Sequence, residues 1–207
     1  MVFVPASKKG DNQDYESLIA IIETLAAIKI KPIRVTDYNA AVESMRAGRA
    51  HIAWYGGKTY IQAAEMAGAE AFAAGVRKGD DTAGYYAYFV VPVDSPLKAL
   101  EDVRGQILGL NSIGSTSGDL IPQVELMKIG LSTKNKDDFA KVFYAGSHDA
   151  CLLAAINKHV DVCGMSSRNF DARLADGTFK LEQVRIIHRS SLVTPPQLAY
   201  SKKLSVE

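Results

Sequence analysis

No stretch of this sequence approaches the roughly 18 consecutive apolar residues that a membrane-crossing helix requires. Charge of one sign is lacking as well. The 207 residues carry 24 Lys and Arg against 23 Asp and Glu, a net charge of +1, with no basic or acidic block. That balance removes the electrostatic footprint of a nucleic-acid or anionic-membrane partner. Cysteine is scarce, and Cys151 and Cys163 match neither a metal-ligand spacing nor a redox motif. They are expected in a helix and the strand after it, either as buried thiols or, in an oxidising compartment, as a disulfide. There is no P-loop, no Ser-His-acid order and no metal cluster, and no pair of carboxylates marks a cleft. These absences argue against an enzyme, and no metal or cofactor is expected. Val2 to Pro5 reads as a strand rather than as a signal peptide, so the chain is either cytosolic or separated from its leader.

What is present is core-forming. With 47% hydrophobic and 23% charged residues, the chain can bury one large core or two smaller ones. Val2 to Pro5 reads as a first strand. Asp14 is a candidate cap for a helix whose buried face is Leu18, Ile21, Ile22 and Leu25. Ile30 to Val35 reads as a second strand, and Thr36 or Asp37 caps a helix with Ala41, Val42 and Met45 on its apolar face, stopped by Gly48. Strand His51 to Trp54 completes a βαβαβ series of the kind that builds a parallel sheet, and a short helix over Thr59 to Ala67 and strand Ala71 to Val76 follow it. In open α/β sheets ligands bind beyond the carboxyl ends of strands. Tyr55, which directly follows strand three, and Tyr38 at the same edge are therefore either ligand contacts or core and rim residues.

A long apolar strand over Tyr85 to Pro92 then leads to a second βαβαβ series. Its parts are strand Ile107 to Leu110, a helix ending at Gly130, strand Val142 to Ala145, helix His148 to Asn157, strand Val160 to Cys163 and helix Ser167 to Leu174. Ile186 to His188 and Leu198 to Tyr200 read as a return to the first series. The expected fold class is thus α/β with two lobes, each a mostly parallel sheet flanked by helices. Residues 1–88 with 191–207 form one lobe and residues 89–190 the other.

The stretch that points to chemistry is Asn111 to Pro122. Ser115, Thr116 and Ser117 stand between Gly114 and Gly118, after the apolar run Ile107 to Leu110 and before helix-spaced Leu120, Val124 and Met127. That order reads as strand, tight turn and helix start. A helix start leaves its first N–H groups without intrahelical acceptors and carries roughly half a positive charge, so hydroxyls grouped there can receive a tetrahedral oxyanion without Lys or Arg. The alternative is an ordinary cap, but a cap needs one hydroxyl and this turn has three. Gly146-Ser147-His148-Asp149 repeats the logic, with Ser147 as cap and His148 in the first turn, as a site residue or as plain capping structure.

These residues carry a family resemblance. Thr36-Asp37-Tyr38, the segment Met45 to Gly56, the Gly84-Tyr85 pair, the Asn111 to Pro122 loop, and Gly146-Ser147-His148 followed by Val160-Asp161 resemble, in order and spacing, the phosphonate/phosphite substrate-binding proteins of ABC transporters. The resemblance runs from about Val2 to Leu204. It implies a type II periplasmic-binding-protein (Venus flytrap) fold and an extracytoplasmic location. It further implies a small phosphorus oxyanion as ligand, a membrane permease as partner and no nucleic acid. The P–O oxygens would be held by Ser115, Thr116, Ser117 and His148, with Tyr38 and Tyr85 contributed by the other lobe. Family members that take an aminoalkyl phosphonate place carboxylates where this chain has Arg168 and, further on, Pro196, so Arg168 is expected either to face a ligand without a cationic tail, with Asp149 or Asp171 as its own candidate salt-bridge partner, or to point to solvent. The alternative function is the sensor domain of a membrane signalling protein. Relatives also continue with C-terminal helices and begin with a leader.

Overall fold

The structure, a computed structural model, describes residues 1–4, 15–35, 37–76 and 83–204. The expected Asp14 cap, the loop before it, Thr36 and the turn over residues 77–82 lie outside the described residues. The chain divides into two compact units, Met1–Ala83 with Pro195–Glu207, and Gly84–Thr194. Relative to the expected lobes, this division moves Tyr85 into the second unit.

The first unit contains β1 (Val2–Val4), α1 (Glu16–Ala26), β2 (Lys31–Pro32), α2 (Tyr38–Arg46), β3 (Ile52–Tyr55), α3 (Gly57–Ala67) and β4 (Ala69–Ala74). The second contains β5 (Ala87–Pro92), β6 (Ile107–Leu110), a π-helical turn (Thr116–Leu120) running into α4 (Ile121–Lys128), β7 (Lys141–Tyr144), α5 (His148–Ile156), β8 (Val162–Ser166), α6 (Ser167–Ala175) and β9 (Val184–Arg189). Strand β10 (Gln197–Ser201) returns to the first unit. Ile186 to His188 does not return with it: β9 stays beside β5 in the second sheet, because its side chains complete that unit's core.

The two sheets share one plan. The first has order β2-β1-β3-β10-β4, and the second β7-β6-β8-β5-β9. In each, the first three strands pair in parallel, the fourth runs antiparallel to both its neighbours, and the fifth takes the direction of the first three. Each parallel strand is followed by a helix, as a crossover requires.

Successive residues of a strand point to opposite faces, and this alternation decides where side chains go. In β3, Ala53 and Tyr55 join the cluster of Val4, Val42, Met45 and Ala63 under α2 and α3, whereas Ile52 and Trp54 pack with Phe3 and Leu198 on the other face. In β5, Phe89 and Val91 meet Leu108 and Leu126 on one face, while Val90 meets Leu152, Met165 and Phe170 on the other. Two helix faces depart from expectation. Along α1 the packed set is Leu18, Ile19 and Ile22, with Tyr15 before it, and Ile21 and Leu25 are 57% and 83% exposed. On α4, Val124 and Met127 face outward, and Pro122, Glu125 and Leu126 are buried instead. Cys151 of α5 and Cys163 of β8 form a disulfide, both residues fully buried.

Candidate functional site

The parallel strands β6, β7 and β8 all end at one edge of the second sheet, and the chain passes from each into a helix there. Three helix starts therefore meet at the carboxyl ends of the strands, where open α/β sheets bind ligands. Antiparallel β5 begins at the same edge, since Ala87 pairs with Ser166 at the end of β8. That brings Tyr85, bridged through its backbone to Val193, alongside the three turns.

The β6 turn is fixed from within. Ser115 caps the π-helical turn: its Oγ accepts from Gly118 N–H at 3.1 Å and from Asn111 Nδ2 at 3.2 Å. Leu120 N–H reaches back five residues to Ser115 O at 3.1 Å. Asp119, also buried, accepts from Gly114 N–H, Gln123 Nε2 and the Tyr144 hydroxyl. Burial, and then the neighbouring Asp119 carboxylate, push the Tyr144 hydroxyl up to about 12, so it stays a donor. Asp119 and Tyr144 were not sequence candidates. The signal available was a carboxylate in the first turn of a helix, which complements the dipole at many helix starts and so marks none in particular.

With Ser115 occupied as the cap, Thr116 and Ser117 are the hydroxyls left over. Both are buried, and both lie within hydrogen-bonding reach of the Tyr85 hydroxyl. Burial raises the Tyr85 pKa, against hydrogen bonding to Ser117, the charge of Arg168 and hydrogen bonding to Thr116, so the phenol keeps its proton. The Arg168 guanidinium, carried by the second residue of α6, lies 5.2 Å from the centre of the Tyr85 ring, and its Nη2 donates to Gly84 O at 3.3 Å. A Cβ on Gly84 would crowd Leu192, at 2.7 Å from its Cδ1, and the backbone oxygen of Val193, at 3.0 Å.

His148 opens α5, behind the Ser147 cap, whose Oγ accepts from Ala150 N–H at 3.1 Å. Its Nδ1 accepts from Ser166 N–H at 3.2 Å. Burial lowers its pKa to about 4. With Nδ1 already an acceptor, the neutral ring carries its proton on Nε2, which is thereby a donor. Gly118 joins the two turns: a Cβ on it would stand 2.4 Å from Asn111 Cβ and 2.8 Å from His148 Cε1. The second turn is tied to the first through the backbone as well, Gly146 N–H donating to Asn111 O at 2.6 Å.

The structure therefore gathers Tyr85, Ser115, Thr116, Ser117, His148 and Arg168 at one sheet edge of the second unit. Tyr55 is a correction. It is 1% exposed in the core of the first unit, where its hydroxyl reaches Ala41 O at 3.3 Å and Met45 Sδ at 3.6 Å. As the last residue of β3 it obeys the alternation and points under the helices rather than past the strand end. Tyr38 is half-buried as the first residue of α2 in the first unit, behind the Asp37 cap, which accepts from Ala40 N–H at 2.8 Å. Asp149, a candidate salt-bridge partner for Arg168, pairs with Arg173 instead, at 3.5 Å. Among the described residues no group of three or more His, Cys, Asp and Glu is placed to hold a metal ion.

A family model described as the periplasmic substrate-binding protein of a phosphonate ABC transporter matches residues 1–207. The phosphonates-binding periplasmic protein of Escherichia coli is 29% identical over 188 residues, which are 89% of this chain and 54% of that protein. The phosphate-import protein PhnD of Mycolicibacterium smegmatis is 28% identical over 99% of this chain and 66% of its own length. The chain thus spans between about half and two thirds of these curated relatives. Among solved structures, a binding-protein component of a Pseudomonas aeruginosa ABC phosphonate transporter superposes with a TM-score of 0.88 at 25% identity, over all of this chain and 70% of the other. PhnD1 of Prochlorococcus marinus, solved with methylphosphonate, superposes with a TM-score of 0.85 at 18% identity, over 98% of this chain and 76% of the other.

Proposed function

This chain belongs to the family of periplasmic substrate-binding proteins of phosphonate ABC transporters, and from that premise we propose that it captures a phosphonate- or phosphite-type oxyanion outside the cytoplasm for delivery to a membrane permease. The observation that carries the reading is the cluster of Thr116, Ser117 and Tyr85 hydroxyls at a helix start beside the Arg168 guanidinium. In the proposed complex the P–O oxygens accept from the Thr116 and Ser117 hydroxyls, from backbone N–H groups of the turn and from His148 Nε2–H. Ser115 shapes the turn and has its own hydroxyl proton to give. Arg168 supplies the full positive charge, which neutral donors lack, and makes its hydrogen bonds to the ligand charge-assisted.

The same groups suit a receptor rather than an enzyme. Burial keeps the Tyr85 phenol protonated, and the imidazole of His148 has its basic nitrogen engaged by Ser166. Neither is poised to take a proton from a substrate or from water.

Melting curves with phosphate, phosphite, methylphosphonate, aminoethylphosphonate and sulfate test the proposal. Phosphate belongs in the set because the mycobacterial relative is named for its import. A ligand at 100 times its Kd stabilises the folded state by about 2.7 kcal/mol, a shift of several degrees for a chain of this size. At least one phosphorus oxyanion should raise the melting temperature where sulfate does not. No shift with any of them would sink the reading.

A further inference from the structure

We infer that the Cys151–Cys163 disulfide is a positioning device for the oxyanion site, holding His148 in register and in the tautomer that donates to the ligand. The inference rests on the site reading above and adds residues to it that do not touch the ligand.

Cys151 follows His148 by three residues on α5, so the two side chains lie one turn apart on the same side of the helix. Cys163 precedes Ser166 by three residues on β8. Two ties therefore run side by side from α5 to β8: the covalent bond between the sulfurs, and the hydrogen bond from Ser166 N–H to His148 Nδ1. The hydrogen bond fixes which nitrogen accepts. It can do so only while α5 keeps its rotation and height against β8, and the disulfide removes that freedom at a distance of one helical turn. A third element presses on the same point. Gly109 of β6 lies so close that a Cβ there would stand 3.2 Å from Cys151 Sγ. Two residues on, just past the end of β6, is Asn111, which braces Ser115 and whose Cβ closely faces Gly118. The disulfide thus sits where α5, β8 and β6 meet, behind the turns that carry Ser115 and His148, with both cysteines fully buried.

The test is a double-mutant cycle read by calorimetric titration with phosphite and methylphosphonate, on proteins shown to be folded by circular dichroism. The Cys151→Ala/Cys163→Ala protein should bind about tenfold or more weakly than wild type. In a His148→Gln background, where there is no tautomer left to protect, removal of the disulfide should cost little further affinity. Equal losses in both backgrounds would make the bridge a mere staple and overturn the inference. If the alanine pair does not fold, Cys151→Val/Cys163→Ala, which keeps more of the buried volume, takes its place. Nitrogen chemical shifts of the His148 ring give a readout without any ligand. Wild type should show one neutral tautomer, protonated on Nε2, and the protein reduced by a phosphine or lacking both cysteines should show a mixture. An unchanged single tautomer would count against the inference, and because no anion is needed, that outcome is separate from a failure of the ligand proposal.

Discussion

Thr116 and Ser117 face two demands in turn, since in the free protein their hydroxyls lie against the buried Tyr85 phenol and in the proposed complex each gives its one proton to a ligand oxygen. A hydrogen bond to a charged group contributes roughly 1.5 to 3 kcal/mol, so changing both to Ala should weaken binding by about two to four orders of magnitude. Stability should fall too, by about 1 to 3 kcal/mol, because the Tyr85 hydroxyl is left buried without those partners. Titration and melting of the double variant check both parts. His148 makes a prediction in pH. Its folded pKa, lowered by burial to about 4, lies below the ordinary histidine value near 6.5, so the unfolded chain takes up a proton first as pH falls. The native state should therefore lose stability progressively from about pH 6.5 to about pH 4, by roughly 3 kcal/mol, and the His148→Gln protein should lack that contribution. Denaturant melts across this range measure it. A bound anion favours the protonated ring, so ligand should raise the His148 pKa. At this scale the turn residues were legible because glycines, hydroxyls and a cap are local signals. The contact of Arg168 with Tyr85 was not, since it joins residues far apart in the chain, and Tyr55 was misplaced because position at a strand end says less than which face the side chain takes.

Between residue and fold stand the turns, and Gly118 is where two of them touch. Its backbone runs close enough to Asn111 and His148 that one added methyl has no room. Gly118→Ala should therefore push His148 away from the Ser115 turn or shift the turn itself. The expected result is at least about a tenfold loss of oxyanion affinity with the chain still folded, since the misplacement of donors by an ångström forfeits much of a hydrogen bond. A variant that binds like wild type would mean that the two turns do not act on one ligand. Helix existence and order were readable from apolar spacing, and Asp37 and Ser147 cap as their positions suggested. Helix phase was less readable. On α4, Glu125 is turned inward, where burial raises its pKa but hydrogen bonds from Lys128 and His188 hold it below the usual carboxylate range. A charged residue takes a buried position there because its partners come from the same helix and from β9, the second of which no local pattern reveals.

For the whole molecule, the repeated strand–helix alternation carried most of the information, and both sheets contain the parallel pairs it implies. The misassigned piece was β9, whose short apolar run fits either sheet by pattern and is assigned only by its pairing with β5. What the alternation does not disclose is which oxyanion the proposed site would take, and there the distribution of charge decides. Arg168 is half-buried, with its guanidinium 5.2 Å from the Tyr85 ring, and that phenol lies within hydrogen-bonding reach of the Thr116 and Ser117 hydroxyls. A ligand seated on those hydroxyls would bring any ammonium on its substituent within several ångströms of the guanidinium. At about 6 Å and an effective dielectric near 20 the repulsion is roughly 3 kcal/mol, close to a hundredfold in affinity before solvent screening reduces it. Of the two carboxylates on these helices, Asp149 of α5 is paired with Arg173, and Asp171 stands one turn after Arg168 on α6. A small neutral substituent meets no such penalty, and a second anionic group would gain from the same guanidinium. Calorimetric titration should therefore find phosphite or methylphosphonate bound at least about tenfold more tightly than aminoethylphosphonate, with the gap narrowing when Arg168 is replaced by Gln. Tighter binding of aminoethylphosphonate by the wild-type protein would show that Arg168 faces away from the ligand's substituent.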